Sequence, residues 1–286
     1  MRTNDIFTTT YSPGSDPLRS KWSVSKVNDT AGSSCKMNET GPHTVYTIFS
    51  EPKPPWNNTY GNRNQQNAWT NALEFAIVKA GAQGASDDKA ALSAITQYLH
   101  GGHGMRYDTI LGAAHFLDGD SGGMMKLSNY ILDVLVRKEN SVNCYDQAGA
   151  VVAIGTLCGI EVEYVYMKPF GYINEVDLVG IGKCNNPFFE DPGYKPHTNA
   201  IEGADCIRRS SFGNHAFAMI RGDVFDACAG PVCGEALGQY TNMVIDVSTI
   251  DEASAAIGGR VYHKGDKFPI RQPPCERLVI GVTDLN

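Results

Sequence analysis

Val142-Asn-Cys-Tyr-Asp-Gln-Ala-Gly-Ala-Val-Val-Ala-Ile-Gly-Thr-Leu-Cys-Gly-Ile-Glu-Val-Glu-Tyr-Val-Tyr-Met167 joins a buried helix to a strand almost end to end. Asn143 suits a helix N-cap, Cys144 falls in the first turn, and Asp146 suits the positive end of the helix dipole. Ala148, Val151, Val152 and Leu157 then recur at helical spacing, and Gly159 is a natural stop. Beyond it Ile160, Val162, Tyr164 and Tyr166 alternate with Glu161, Glu163 and Val165, a strand pattern with a largely apolar face. A thiol at a helix N-terminus sits among backbone N–H groups that favour the thiolate, the form that attacks carbonyl carbon. A buried cysteine is more often plain packing, so this chemistry needs a partner.

Ser210 to Cys228 offers one. With period two, His215, Phe217 and Met219 share one face of a strand, Arg221-Gly222-Asp223 turns tightly, and Val224 to Asp226 begins the returning strand. Such a hairpin brings His215 and Asp226 close enough for the carboxylate to hold the imidazole tautomer that serves a thiol. Cys144, His215 and Asp226 thus stand as nucleophile, base and orienter in chain order.

These stretches resemble the transglutaminase-like superfamily of papain-fold thiol enzymes. The resemblance covers about Trp69 to Asp246. Its most specific parts are Asn143-Cys144-Tyr145-Asp146-Gln147-Ala148, Asn214-His215-Ala216-Phe217 and Phe225-Asp226-Ala227. It implies the same three roles for Cys144, His215 and Asp226. The family commonly has Trp after its His, where this chain has Ala216-Phe217, and the long gap from Cys144 to His215 implies an insertion. The fold class expected is α+β: a transglutaminase-like, papain-like core of helices packed on an antiparallel sheet, with a small β-rich N-terminal region.

Composition bounds the alternatives. A chain of 286 residues, 42% hydrophobic and 19% charged, has ample material for a core. A net charge of −7 argues against nucleic acid or an anionic membrane surface as partner. No apolar run approaches the eighteen or so residues that span a bilayer, so no membrane insertion is expected. The first residues lack the apolar core of a signal peptide, which fits a cytoplasmic protein or a secreted one already trimmed. The cysteines at 35, 144, 158, 184, 206, 228, 233 and 275 are fewer than a disulfide scaffold uses. Cys228 with Cys233, and Cys184 with Cys206, flank loops that a disulfide can close, and free thiols fit equally well.

Two domains are expected. Residues 1–66 read as a β-rich region and linker, with strands at Trp22–Val27 and His43–Phe49 and a Pro- and Asn-rich tail from Glu51 to Asn67. Residues 67–286 read as the catalytic domain. It should open with a helix over Trp69–Ala80 ended by Gly81, then a second capped by Ser86. His100-Gly-Gly-His-Gly-Met-Arg-Tyr-Asp108 is too Gly-rich for regular structure. His100, His103, Asp108 and His115 can in principle bind a metal, but a cleft rim is the better reading and no metal is expected. A third helix spans Met125–Val136. After the insertion and the hairpin, Val232–Tyr240 reads as a short helix, and Asn242–Val247 and Arg277–Val282 as strands.

The expected reaction is attack of Cys144 on an amide carbonyl of a protein or peptide substrate, with a thioester intermediate and no cofactor. Oxyanion donors are the Cys144 N–H and one of Gln147, Tyr107 or Asn214. Phe170 and Tyr172, in the Gly- and Pro-rich insertion, are candidates for substrate contact. The resemblance favours a cysteine peptidase or amide hydrolase, because bacterial relatives in that family are mostly viewed as such. A transglutaminase or protein deamidase acting on glutamine side chains, and a catalytically inactive binding module of the same fold, are the alternatives.

Overall fold

The computed structural model describes residues 46–56, 69–119, 123–137, 141–167, 173–191, 195–197, 212–245, 275–278 and 280–282. The chain divides into two compact units, Met1–Ile48 and Phe49–Asn286, and the second carries the elements below. The strand expected at Trp22–Val27 lies outside the described residues, and Tyr46–Phe49, at the end of the other expected strand, is irregular.

The fold is mixed α+β. Its helices are α1 (Thr70–Glu74), α2 (Asp88–Gly101), α3 (Leu127–Leu132), α4 (Cys144–Leu157) and α5 (Leu237–Val244). Strands β1 (Arg106–Tyr107), β2 (Leu117–Asp118), β3 (Met124–Met125) and β4 (Ser141–Val142) precede α4. After it come β5 (Glu163–Met167), β6 (Val176–Leu178), β7 (Gly182–Cys184), β8 (Asn186–Asp191) and β9 (Lys195–His197). The chain continues with β10 (His215–Ile220), β11 (Asp223–Asp226), β12 (Val232–Ala236), β13 (Cys275–Leu278) and β14 (Gly281–Val282).

The principal sheet is antiparallel, in the order β12-β11-β10-β5-β13. Helix α4 lies on one of its faces. All of its residues except Tyr145 are buried, as expected for a helix apolar around its whole circumference. Ala216, Ala218 and Ile220 of β10 and Tyr164 and Tyr166 of β5 belong to the core on that side. Val165, Met167, Phe217 and Met219 belong to a second core with Tyr240 and Val244 of α5. Both faces are covered, so β10 is buried along its full length.

Several elements depart from the sequence expectation. The helix over Trp69–Ala80 is α-helical only to Glu74; Phe75–Lys79 widens into a π-turn closed by the Ala80 N–H on the Phe75 carbonyl. Asp133–Arg137 widens α3 in the same way. The cap of α2 is Asp87, whose carboxylate accepts from the Ala90 N–H at 2.8 Å; Ser86 instead donates to Asp87. Helix α2 also continues through His100-Gly101, because Leu99 and His100 are buried and hold the last turn. Val232–Ala236 is a strand, paired along β11, and the helix starts only at Leu237. That helix runs through Asn242–Val244, where a strand was expected, since Tyr240 and Val244 at i,i+4 spacing face the sheet. Arg277–Val282 is broken into the ends of two strands in different sheets.

Glu51–Trp56, linker-like in composition, lies against the core. Trp56 is buried, donates its indole N–H to the Ala153 carbonyl at 2.8 Å and meets Trp69 edge to face. Gly159, with φ +82°, ends α4 where a Cβ would strike the Ser50 backbone. Among the described residues no helix is long and apolar enough to cross a membrane.

Candidate active site

The N-terminus of α4 is fixed by a reciprocal cap. Asn143 Oδ1 accepts from the Tyr145 and Asp146 N–H groups at 2.9 and 3.1 Å, and Asp146 Oδ2 accepts from the Asn143 N–H at 3.2 Å. The Gln147 N–H bonds the Asn143 carbonyl. These bonds use the amides after Cys144 and leave the Cys144 N–H with no acceptor among the described residues. Asp146 also accepts from the amides of His115, Phe116 and Leu117 at 2.8–2.9 Å. The residue expected merely to favour the helix dipole therefore also straps a neighbouring loop to the helix end.

His215 arrives from the sheet. Arg221 and Gly222, with φ +48° and +93°, make a two-residue turn that pairs Ala218 with Phe225. One step further along, Asp226 comes onto the face that carries His215 and Phe217. His215 Nε2 lies 2.8 Å from Asp226 Oδ2, with both side chains buried. Tyr240 donates to that oxygen at 2.7 Å, and the amides of Cys228 and Ala229 donate to the other at 2.7 and 3.1 Å. Burial alone would push the imidazole down, but the Asp226 carboxylate and a hydrogen bond with Cys144 push it up to about 10. For Asp226, burial is outweighed by His215, Tyr240 and the Cys228 amide, which hold the carboxyl below its ordinary range. With Nε2 on Asp226, Nδ1 is the ring nitrogen left for the Cys144 sulfur. Cys144 itself is 6% exposed.

Gln147 does not face this site. Its amide nitrogen donates to the Leu99 and Ala227 carbonyls at 2.5 and 3.1 Å, and its oxygen accepts from Tyr130 at 2.6 Å. Fully buried and fully bonded, it ties α2, α3 and the end of β11 to α4 and has no donor to spare for an oxyanion.

Tyr107 lies near Cys144. It stands opposite Val142 in the parallel β1–β4 pair, two residues before Cys144, and its ring is buried against Phe188. Burial and the nearby Cys144 thiol push its phenol upward, and its hydroxyl has no hydrogen-bond partner among the described residues. Asn214 accepts from the Tyr145 hydroxyl, which links the first turn of α4 to the start of β10 and leaves the Asn214 amide N–H₂ available. Phe170 and Tyr172 lie outside the described residues.

The histidines of the Gly-rich segment have separate partners. His100 lies 3.2 Å from the Ala227 carbonyl, His103 bonds Leu99 and Met105, and His115 pairs with Asp108 at 3.3 Å. Among the described residues no group of three or more His, Cys, Asp or Glu converges as a metal site would require. Cys228 and Cys233 are unpaired thiols. Burial pushes Cys158 up to about 12, Cys233 up to about 11 and Cys228 well above its ordinary value.

Sequence reasoning missed Tyr240, which falls inside a segment read as helix and then strand. An amphipathic period with Tyr240 and Val244 on one face was the available signal. Comparison of the chain with family models, curated proteins and solved structures finds no match.

Proposed function

We propose that this chain is a thiol-dependent enzyme acting on amide bonds, a cysteine peptidase or amide hydrolase built on a core similar to that of the transglutaminase-like superfamily. The observation that carries the reading is His215, buried between the Cys144 sulfur and an Asp226 held by four donors. A carboxylate so fully bonded cannot rotate away, so it fixes which imidazole nitrogen faces the thiol.

In this reaction the Cys144 thiolate attacks the amide carbonyl carbon, and the carbonyl π electrons move to oxygen. In this reading the Cys144 N–H and the Tyr107 hydroxyl stabilise that oxyanion, with Asn214 a third candidate. As the tetrahedral species collapses, the C–N bond breaks and His215 gives its proton to the departing amine, leaving an acyl thioester. His215, now neutral, takes a proton from water as the water attacks, and Cys144 leaves as thiolate. A primary amine in place of water gives transamidation, and a glutamine side chain as the amide gives deamidation.

Incubation with a peptide library, read by mass spectrometry, tests the proposal. Expected are new termini or a gain of one mass unit at glutamine, abolished by Cys144→Ala and by His215→Ala. Products that persist in Cys144→Ala, or none from the wild type, would favour the inactive binding module.

A further inference from the structure

Between α1 and α3, with the π-turns that continue them, lies a cavity of about 330 Å³ that shares no residue with the candidate triad. Its apolar wall is Trp69, Phe75, Ile131, Leu132 and Leu135, and two side chains of opposite charge, Glu74 and Lys79, also line it. Both π-turns among the described residues border it: Phe75–Lys79 contributes Phe75 and Lys79, and Asp133–Arg137 contributes Leu135. Single widened turns of this kind are rare in helices and concentrate at functional sites. Four of the eight exposed large apolar side chains among the described residues, Val78, Leu132, Leu135 and Val136, lie on these two turns or directly before them.

The first π-turn decides what the cavity can hold. Residues five apart on an α-helix point about 140° from one another, whereas a π-turn closes from i to i+5 and brings them toward one face. Glu74 and Lys79 are such a pair, spanning the turn that the Ala80 N–H closes on the Phe75 carbonyl at 2.8 Å. Lys79 is exposed and has no ion pair among the described residues, and a carboxylate such as that of Glu74 accepts from several donors at once. A ligand with a single charge gains at one of these groups and loses at the other. A ligand with both charges gains at both, while its apolar body fills a cavity whose size is that of a small-molecule site.

We propose that this cavity binds a zwitterionic amino acid with a large apolar side chain, its carboxylate on Lys79, its ammonium on Glu74 and its side chain against Phe75, Ile131 and Leu135. The site is separate from the thiol chemistry and stands whether or not Cys144 is catalytic.

Isothermal titration calorimetry on the full chain tests this with three ligands that share one apolar body and hold no amide: L-phenylalanine, 3-phenylpropanoate, which lacks the ammonium, and 2-phenylethylamine, which lacks the carboxylate. L-Phenylalanine should bind about fivefold more tightly than either, the worth of one partly exposed charge pair. Lys79→Gln, at an exposed position, should lower the affinity for L-phenylalanine to that for 2-phenylethylamine and leave the latter within about twofold of wild type. Leu135→Ser should weaken all three ligands about fivefold or more. No binding up to about 10 mM, equal affinity for the three ligands, or binding that neither variant alters overturns the inference. Sedimentation velocity on the same samples checks the other occupant: a wild-type dimer that Leu135→Ser dissociates makes this face a contact between copies and also overturns it.

Discussion

Tyr240 donates its hydroxyl to the same Asp226 oxygen that holds His215, at 2.7 Å beside 2.8 Å. Helix α5, on the far face of the sheet from α4, thus reaches the candidate triad through one buried phenol. Tyr240→Phe keeps the ring on Phe217 and removes only this bond. A buried hydrogen bond to a charged group contributes about 1.5–3 kcal/mol, so the urea midpoint should fall by that equivalent. An unchanged midpoint would mean that the bond does not form.

The His215–Asp226 pair sets a pH window. His215 is raised from 6.5 to about 10 in the fold, so its contribution to stability is complete below about pH 6.5 and is lost as pH rises toward 10. Asp226 is lowered from 3.8, so its contribution is present above about pH 3.8 and is lost as pH falls through its folded value. Unfolding free energy from urea titrations should therefore fall on both sides of a plateau between about pH 3.8 and 6.5. In His215→Gln, which cannot charge, the alkaline decline should flatten.

Gln147 distinguishes a structural amide from an oxyanion donor. Gln147→Met removes both its donor and acceptor roles, taking the acceptor from the Tyr130 hydroxyl and one of the donors from each of the Leu99 and Ala227 carbonyls. Stability should drop by about 2–4 kcal/mol. The rate of amide cleavage per folded molecule should stay within about twofold of wild type. A large loss of that cleavage at unchanged stability would restore Gln147 to the site.

Gly159→Ala tests the packing of the segment before α1 onto the end of α4. The substitution puts a side chain at φ +82° and 2.2 Å from the Ser50 carbonyl oxygen, so it should destabilise by more than about 1 kcal/mol in chemical denaturation.

What the sequence makes legible here is local. The Asn143–Asp146 cap closes within one turn, and the nearness of His215 to Asp226 follows from period two and a two-residue turn, with no other element needed. Both are set by spacing along the chain. Gln147 is misread because its partners Leu99 and Ala227 are distant in sequence, and an amide's spacing says nothing about which way it points. Tyr240 is invisible for the same reason: its role depends on α5 docking against β11. The edge strand β12 reads as helix because its Val-Cys-Gly-Glu-Ala has weak strand propensity, and pairing along β11 overrides it.

The most direct measurement is the iodoacetamide alkylation rate of each cysteine, read by peptide mass spectrometry across pH, in the intact chain and in His215→Ala. If Cys144 and His215 act as the proposed pair, Cys144 reacts quickly below about pH 7, where ordinary thiols near 8.5 are slow. Its rate drops about tenfold or more in His215→Ala, while Cys158 and Cys228, whose thiols burial pushes up, stay unlabelled. A Cys144 that is inert, that reacts no faster than the other cysteines, or that is indifferent to loss of His215 would contradict the triad.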